Sequence, residues 1–259
     1  MLILLPPSEG KSAPDDGPIL KLSDLSFPEL NPLRRRVVTE LTRLCRTDPE
    51  AAIVGLGLGV QQSADVRADA RIRRSPCAPA VDVYAGVLYD ALSYSTLSAP
   101  ARRRGSQRLA VTSALWGLLR PHDPIPYYRL SATGHLPGFG TLPHFWKPAI
   151  AGCLARSTGL VVDLRSGAYR ALGPVPGSTA ERTVTVRVLH ESAGRRTIVS
   201  HHNKATKGRL VRALLEESTT PREPSELAGL LTELGFENEG VLPGKPGTPA
   251  TIDVVVRSL

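Results

Sequence analysis

The stretch Arg108-Leu-Ala-Val-Thr-Ser-Ala-Leu-Trp-Gly-Leu-Leu-Arg-Pro-His-Asp-Pro-Ile-Pro-Tyr-Tyr-Arg-Leu130 passes from an apolar run into a loop stiffened by proline. Arg108–Ala114 reads as a core strand. Pro121, Pro124 and Pro126 each fix φ and lack an amide donor, so the segment after it is neither an ordinary helix nor a central strand. Arg120, Asp123, Tyr127, Tyr128 and Arg129 crowd among them, and charged groups on a stiff loop need fixed partners. Two readings stand together. One is a loop pinned by Arg–Asp bonds and aromatic packing; the other is a site wall for an anionic or planar ligand. Trp116, Phe139 and the His144-Phe-Trp-Lys147 cluster with Trp146 supply the aromatic part of either.

Working outward, Leu2–Leu5 reads as a short buried strand, and Pro6-Pro-Ser-Glu-Gly-Lys-Ser12 as a turn presenting Ser8, Glu9 and Lys11 at its C-terminal end. In α/β architectures that edge is where ligands bind. The Gly-x4-Gly-Lys spacing of a phosphate loop is missing. Gly159–Leu164 reads as another buried strand, with Asp163, Ser166 and Tyr169 at its end. Asp163 there is either part of a site wall or a cap of the next turn.

Residues 13–31 read as an extended loop. Asn31-Pro32 then opens a helix to about Arg46, with Asn31 as N-cap, and Pro49 opens a shorter one. Val54-Gly-Leu-Gly-Leu-Gly-Val60 and the polar helix Gln61–Ala70 have the pattern of a helix-hairpin-helix, whose turn amides meet a phosphate; a plain glycine turn fits as well. After Tyr84-Ala-Gly86 a helix runs to Leu92. A helix from Phe145 reaches Leu154. Glu181–Leu189 alternates as a strand and pairs with Thr197–His201 across Ser192–Gly194. Lys204, Lys207 and Arg209, at the entry to a helix ending near Glu217, are placed to gather around one anion. Pro221–Leu234 is a further helix, after which Gly235-Phe236-Glu237 and Thr251–Val256 suggest one closing edge strand.

The 259 residues, 41% hydrophobic, suffice for a large core and contain no apolar run long enough to span a membrane. Met1–Leu5 lacks a basic leader, which suits a strand better than a signal peptide. Cys45, Cys77 and Cys153 are widely spaced and form neither a disulfide framework nor a zinc signature, so a reducing cytoplasm is expected. His201 and His202, adjacent on a strand, would face opposite ways; His122 and His144 with Asp123 make a weaker metal reading, and neither metal nor cofactor is expected. The net charge is +8, with basic runs at Arg34–Arg36, Arg71–Arg74, Arg102–Arg104 and Lys204–Arg212. Such clustering suits a polyanion partner, and solvated helix faces give the same pattern.

Several blocks in order resemble the YaaA family of bacterial peroxide-stress proteins. They are Pro6–Lys11, Asp82-Val-Tyr-Ala-Gly86, Trp116-Gly-Leu-Leu-Arg-Pro-His-Asp123 continuing to Leu130, Phe145-Trp146, Ser166–Tyr169 and Lys204–Arg209. The blocks span nearly the whole chain. Within the first turn Lys11 keeps its place while its neighbours depart from the family's frequent Ser-Pro-Ala-Lys, and Trp116 stands where tyrosine is common. The resemblance implies a single mixed α/β domain over 1–259, with a basic cleft and a helix-hairpin-helix-like element. It also implies DNA binding and a part in limiting iron-dependent oxidative damage.

Two functions follow. In the first, a non-catalytic protein binds duplex or damaged DNA through its arginines and lysines, and Trp116, Tyr127 or Tyr128 stacks on a base. In the second, an enzyme acts on a nucleotide, nucleoside or damaged DNA base. Its catalytic candidates are Lys11, Glu9, Asp123 and Asp163, because a desolvated lysine is a nucleophile or base and a carboxylate activates water. Ligand contact in either falls to Ser8, Tyr84, Trp116, Arg120, Tyr128, Arg129, Trp146, Ser166, Tyr169, Lys204, Lys207 and Arg209. No membrane partner is expected.

Overall fold

A computed structural model of the chain describes residues 1–192, 195–197 and 200–257. The first half runs β1 (Leu2–Leu5), α1 (Asn31–Thr47), α2 (Pro49–Leu56), α3 (Ser63–Asp69), β2 (Cys77–Pro79), α4 (Ala80–Val83), α5 (Val87–Leu92), α6 (Ala99–Arg108), β3 (Leu109–Ser113), β4 (Gly117–Leu119) and β5 (Pro124–Pro126). The second half adds α7 (Leu142–Ala155), β6 (Val161–Asp163), α8 (Gly167–Leu172), α9 (Gly177–Ala180), β7 (Thr183–Ser192), β8 (Arg195–Thr197), α10 (Ser200–Glu216), α11 (Pro224–Glu233), β9 (Asn238–Leu242) and β10 (Ala250–Val256).

Eight strands form one sheet in the order β4-β3-β1-β6-β7-β10-β9, with β8 paired to β7 off that path. Its centre is parallel: β1 pairs with β3 and β6, β6 with β7, and β7 with β10. Strands covered on both faces read as unbroken apolar runs, which is why Leu2–Leu5 and Val161–Val162 carry no alternation and are buried throughout. The chain leaves β1 towards β3 on one side and leaves β6 towards β7 on the other. The β1–β6 pair is therefore the point where strand order reverses, and a crevice opens beyond the C-terminal ends of those two strands. The fold is mixed α/β with a mostly parallel central sheet and a single apolar core.

Proline-rich 113–130 is not one wall. From Ser113, at the C-terminal end of β3, the chain turns through Gly117 (φ 73°) and returns antiparallel as β4, with Val111 opposite Leu119. That reversal delivers Arg120 to the opposite edge of the sheet, where its Nη1 donates to the carbonyls of Gln107 (2.8 Å) and Leu109 (2.7 Å) at the start of β3. Asp123 stays there, accepting from Ser26 N (3.1 Å), Ser26 Oγ (2.7 Å) and Arg120 N (3.0 Å). The chain then pairs as β5 with β2 and climbs back, so that Tyr128 and Arg129 rejoin the C-terminal edge. Arg120 and Asp123 brace a loop far along the sheet from Lys11 and leave the expected cleft.

Trp116 and Trp146 are fully buried, and Trp146 Nε1 donates to Ala114 O (2.8 Å). A side chain at position 117 would meet the Trp146 ring at 2.8 Å, so the glycine is required by packing as well as by its φ. Neither tryptophan reaches a ligand; both are core. Arg34 is buried as well, donating to Trp116 O (2.9 Å) and Leu118 O (2.6 Å), which removes one member of the first basic run from the surface. Its third donor takes Asn31 Oδ1 (2.8 Å). Asn31 is thus the first residue of α1 rather than its cap.

Other boundaries differ in instructive ways. β10 is an inner strand, parallel to β7, and the sheet edge is β9, an antiparallel strand not expected from sequence. Helix α7 begins at Leu142, because Thr141 Oγ1 accepts the amide of His144 (3.2 Å) and caps it. Among the described residues of the expected partner strand, Thr197 pairs with the end of β7, in β8 (Arg195–Thr197). The expected turn at 193–194 and residues 198–199 of the expected strand lie outside the described residues. Positions 200–202 are helical, so His201 and His202 start α10 and are not on a strand.

Candidate functional site

The loop after β1 crosses the reversal crevice as the Ser8–Gly10 turn, and cavities lie on both sides of it. One, of 370 Å³, is lined by Pro6–Gly10, Ala85–Tyr89, Ser166, Tyr169 and Lys204. The other, of 230 Å³, is lined by Ser8, Glu9, Lys11, Leu56, Gly57, Arg129–Ser131, Thr133 and Tyr169. Ser8, Glu9 and Tyr169 face both, so the two are halves of one cleft. The first half is mainly apolar. The second carries Lys11 and Arg129 together with Glu9.

Lys11 is fixed from several sides. Its backbone bridges Tyr84, and Ser12 N donates to Val83 O (2.8 Å). Its Nζ donates to Ser8 O (2.8 Å) and lies over the rings of Tyr128 (4.6 Å to the centroid) and Tyr84 (5.8 Å). Burial, and then the nearby Arg129 guanidinium, depress its ammonium to a pKa of about 8. Beneath the amine, Ser113 Oγ accepts the amides of Leu115 (3.2 Å) and Trp116 (3.1 Å). With both lone pairs occupied its proton must point to Tyr128 Oη (2.8 Å), which in turn donates to Tyr84 Oη (2.9 Å). Burial holds both phenols neutral by raising their pKa. Tyr128 is wholly buried, so it floors the amine and is no stacking surface.

Arg129 spans the cleft, donating from Nη1 to Glu9 O (2.7 Å). Its own amide donates to Oδ1 of Asp69 (3.0 Å), a carboxyl with no exposed surface. Asp69 Oδ2 has no hydrogen-bond partner among the described residues. Burial raises its pKa well above the usual carboxylate range, with the Arg129 amide only partly opposing. Asp65, one turn earlier on α3, accepts from Tyr127 Oη (2.7 Å) and Gln62 Nε2 (3.2 Å) and lies 4.0 Å from the Arg129 guanidinium.

The glycine-rich turn forms the cavity's outer lip. Gly57 ends α2 in the left-handed region (φ 65°), where a side chain is strained, and lines the cavity. Gly55 lies against the loop, its carbonyl accepting from His135 N (2.7 Å); a Cβ there would sit 2.9 Å from His135 O. Both glycines are explained by helix ending and close packing.

Of the expected ligand set, Ser8, Glu9, Lys11, Arg129, Ser166, Tyr169 and Lys204 do converge on the cleft. Asp163 does not. It is buried and chelated by Arg165, Oδ1 accepting from N (3.0 Å) and Nε (2.9 Å), and Oδ2 from Nη2 (2.7 Å). Lys207 lines neither cavity, and its Nζ donates to Leu164 O (3.0 Å). Burial and then Arg170 depress its pKa to about 8. Arg209 is exposed and bonds Thr206 Oγ1 (3.3 Å). Lys204, Lys207 and Arg209 therefore do not share one anion. His122 lies against Tyr94, and no group of three metal-ligating side chains occurs among the described residues. Sequence reasoning missed Asp69, Asp65, Ser131 and Thr133; the i, i+4 acids on an otherwise plain helix were the available signal.

A family model described as peroxide stress protein YaaA matches residues 1–239. A UPF0246 protein of Streptomyces coelicolor is 46% identical over the full length of both chains. One from Corynebacterium efficiens is 44% identical, covering 93% of this chain and 96% of its own. A third, from Limosilactobacillus fermentum, is 31% identical over 79% of this chain and 82% of its own.

Proposed function

Given that the chain belongs to the YaaA family of peroxide stress proteins, we propose that it acts on DNA under peroxide stress, protecting it and limiting iron-dependent damage. Exposed arginines hold phosphates, and the cleft at the β1–β6 reversal takes one nucleotide unit. The observation that carries this reading is the cleft itself: an apolar half and a cationic half, of 370 and 230 Å³, meeting at the Ser8–Glu9 turn. An apolar compartment beside cationic groups suits a base and its phosphate. Arg35, Arg71 and Arg103 are exposed and supply phosphate contacts, and the α2–α3 turn is a further contact surface.

Affinity for intact duplex, single-stranded and abasic DNA measured against salt tests it. Each phosphate neutralised adds about −0.9 to the log–log slope for duplex DNA. Arg35→Ala and Arg103→Ala should each lower the slope and weaken all three substrates alike. Absence of binding at moderate salt overturns the reading.

A second reading, an enzyme processing a nucleoside or damaged DNA base in the same cleft, is favoured by the desolvated Lys11 amine beside the buried Asp69.

A further inference from the structure

We propose that Lys11 is an amine nucleophile for sugar-derived aldehydes, and that the cationic half of the cleft accepts the ring-opened deoxyribose of an abasic site and condenses it as an imine. This deepens the DNA reading above and rests on it for the source of the aldehyde.

Three features carry the inference. Lys11 is held from the backbone outward, by the bridge to Tyr84 and by Ser8 O at 2.8 Å, yet its side chain opens on a 230 Å³ cavity, a space on the scale of one sugar unit rather than a nucleotide. Ser8, Ser131 and Thr133 line that space, with Ser8 Oγ held on Gly10 O and the Ser131 and Thr133 hydroxyls bonded to each other (3.1 Å), so that lone pairs remain for the hydroxyls of such a sugar, and Arg129 supplies a guanidinium at its wall for the adjoining phosphate. Finally, among the described residues no carboxylate is in salt-bridge contact with the amine, and Asp69, Glu9 and Asp65 act on it only through space. Among the described residues its only direct polar partners are the carbonyls of Ser8 and Glu9, and the nearby Asp69 is sealed from solvent with Oδ2 unpartnered.

These features set the reactivity. A lysine with a pKa of about 8 is neutral in roughly a quarter of molecules at pH 7.5, where an ordinary lysine is almost wholly charged. Its lone pair adds to the aldehyde carbon, forming C–N as the carbonyl π pair moves to oxygen, which takes a proton from water. The nitrogen gives up a proton to water, leaving a carbinolamine. Protonation of its hydroxyl and departure as water form the C=N of an iminium, whose N–H proton returns to water, so amine and aldehyde give imine plus one water, with no redox co-reactant.

The test is borohydride reduction of the imine after incubating the protein with a duplex carrying one abasic site, read by denaturing gel and by peptide mass mapping. The expected result is a covalent adduct mapping to Lys11, lost in Lys11→Ala and Lys11→Arg and kept in Lys147→Ala, an exposed lysine on α7. Trapping at Lys11 should rise about 25-fold between pH 6.5 and 8.5, following the neutral fraction of an amine of pKa about 8. Circular dichroism melts of the Lys11 variants show whether they fold. Adduct spread over exposed lysines, or unchanged in Lys11→Ala, overturns the proposal. Tight binding of the abasic duplex with no adduct overturns it while sparing the DNA reading. Adduct at Lys11 with free 2-deoxyribose 5-phosphate, without affinity for any DNA, supports the aldehyde site and sinks the DNA reading.

Discussion

Two neighbouring strands each end in buried charge, and the two ends are built differently. At the end of β6, Asp163 and Arg165 are shut away together, with side chains 2% and 0% exposed. Every polar atom of the two side chains has a partner: three bonds join the pair, and Arg165 Nη1 donates to Gly173 O at 2.9 Å. Near the end of β1, Lys11 and Asp69 are also desolvated, but among the described residues the lysine's hydrogen bonds go only to carbonyls and the carboxyl keeps an oxygen without a partner. A closed pair holds a loop; an open cluster retains chemical potential for a ligand. Both look alike in sequence, as an acid or a lysine just beyond an apolar run.

The strongest way to break this contrast is Asp163→Ala. Leaving Arg165 buried and unpaired should cost about 3–5 kcal/mol in urea unfolding. A loss below about 1 kcal/mol would put Asp163 back among the candidates for chemistry.

Next in size is a pH effect. Lys11 and Lys207 have folded pKa values of about 8, below the unfolded value of about 10.4. Between these the unfolded chain binds more protons, so stability should rise with pH from about 8 to 10.4, by at most about 1.4 kcal/mol per unit from each lysine. Below pH 8 both states are protonated and the slope from these groups vanishes. Lys11→Met should remove its share of the rise and be more stable than wild type at pH 7, measured by chemical denaturation across the range. A slope unchanged in Lys11→Met would mean the amine is not desolvated.

The smallest expected effect is Asp69→Asn. The amide keeps an acceptor for Arg129 N–H and removes a buried acid whose folded pKa is raised. The folded acid binds more protons than the unfolded one above pH about 4, so wild-type stability falls with rising pH in that window while the variant's does not. Near pH 7 the variant should be about 1 kcal/mol more stable, by thermal melts. Destabilisation instead would show that Asp69 is as structural as Asp163.

Much of the scaffold was legible. Unbroken apolar runs marked β1, β3 and β6, and a strand followed by Ser8, Glu9 and Lys11 marked the ligand edge, because burial on both faces and the polarity of a strand end are written locally. Inner strand β10 was misread as an edge, since β9, with Gly240 in the left-handed region, gives a poor strand pattern. For the 113–130 stretch the sequence allows a pinned loop or a site wall; Arg120 and Asp123 follow the first, because a three-residue return strand inverts direction without any change in composition.

By itself the sequence determined the family, the apolar strands, the strand-end turn bearing Lys11 and the reserve of positive charge. Tertiary structure alone decided which charges are spent. It buried Arg34 under the Trp116 loop, chelated Asp163 with Arg165, carried Asp123 away, and brought Asp69 of α3 beneath Arg129. The reason is physical. Burial of an apolar run is a property of the run, whereas the fate of a charge depends on partners distant along the chain, and on whether they satisfy it completely.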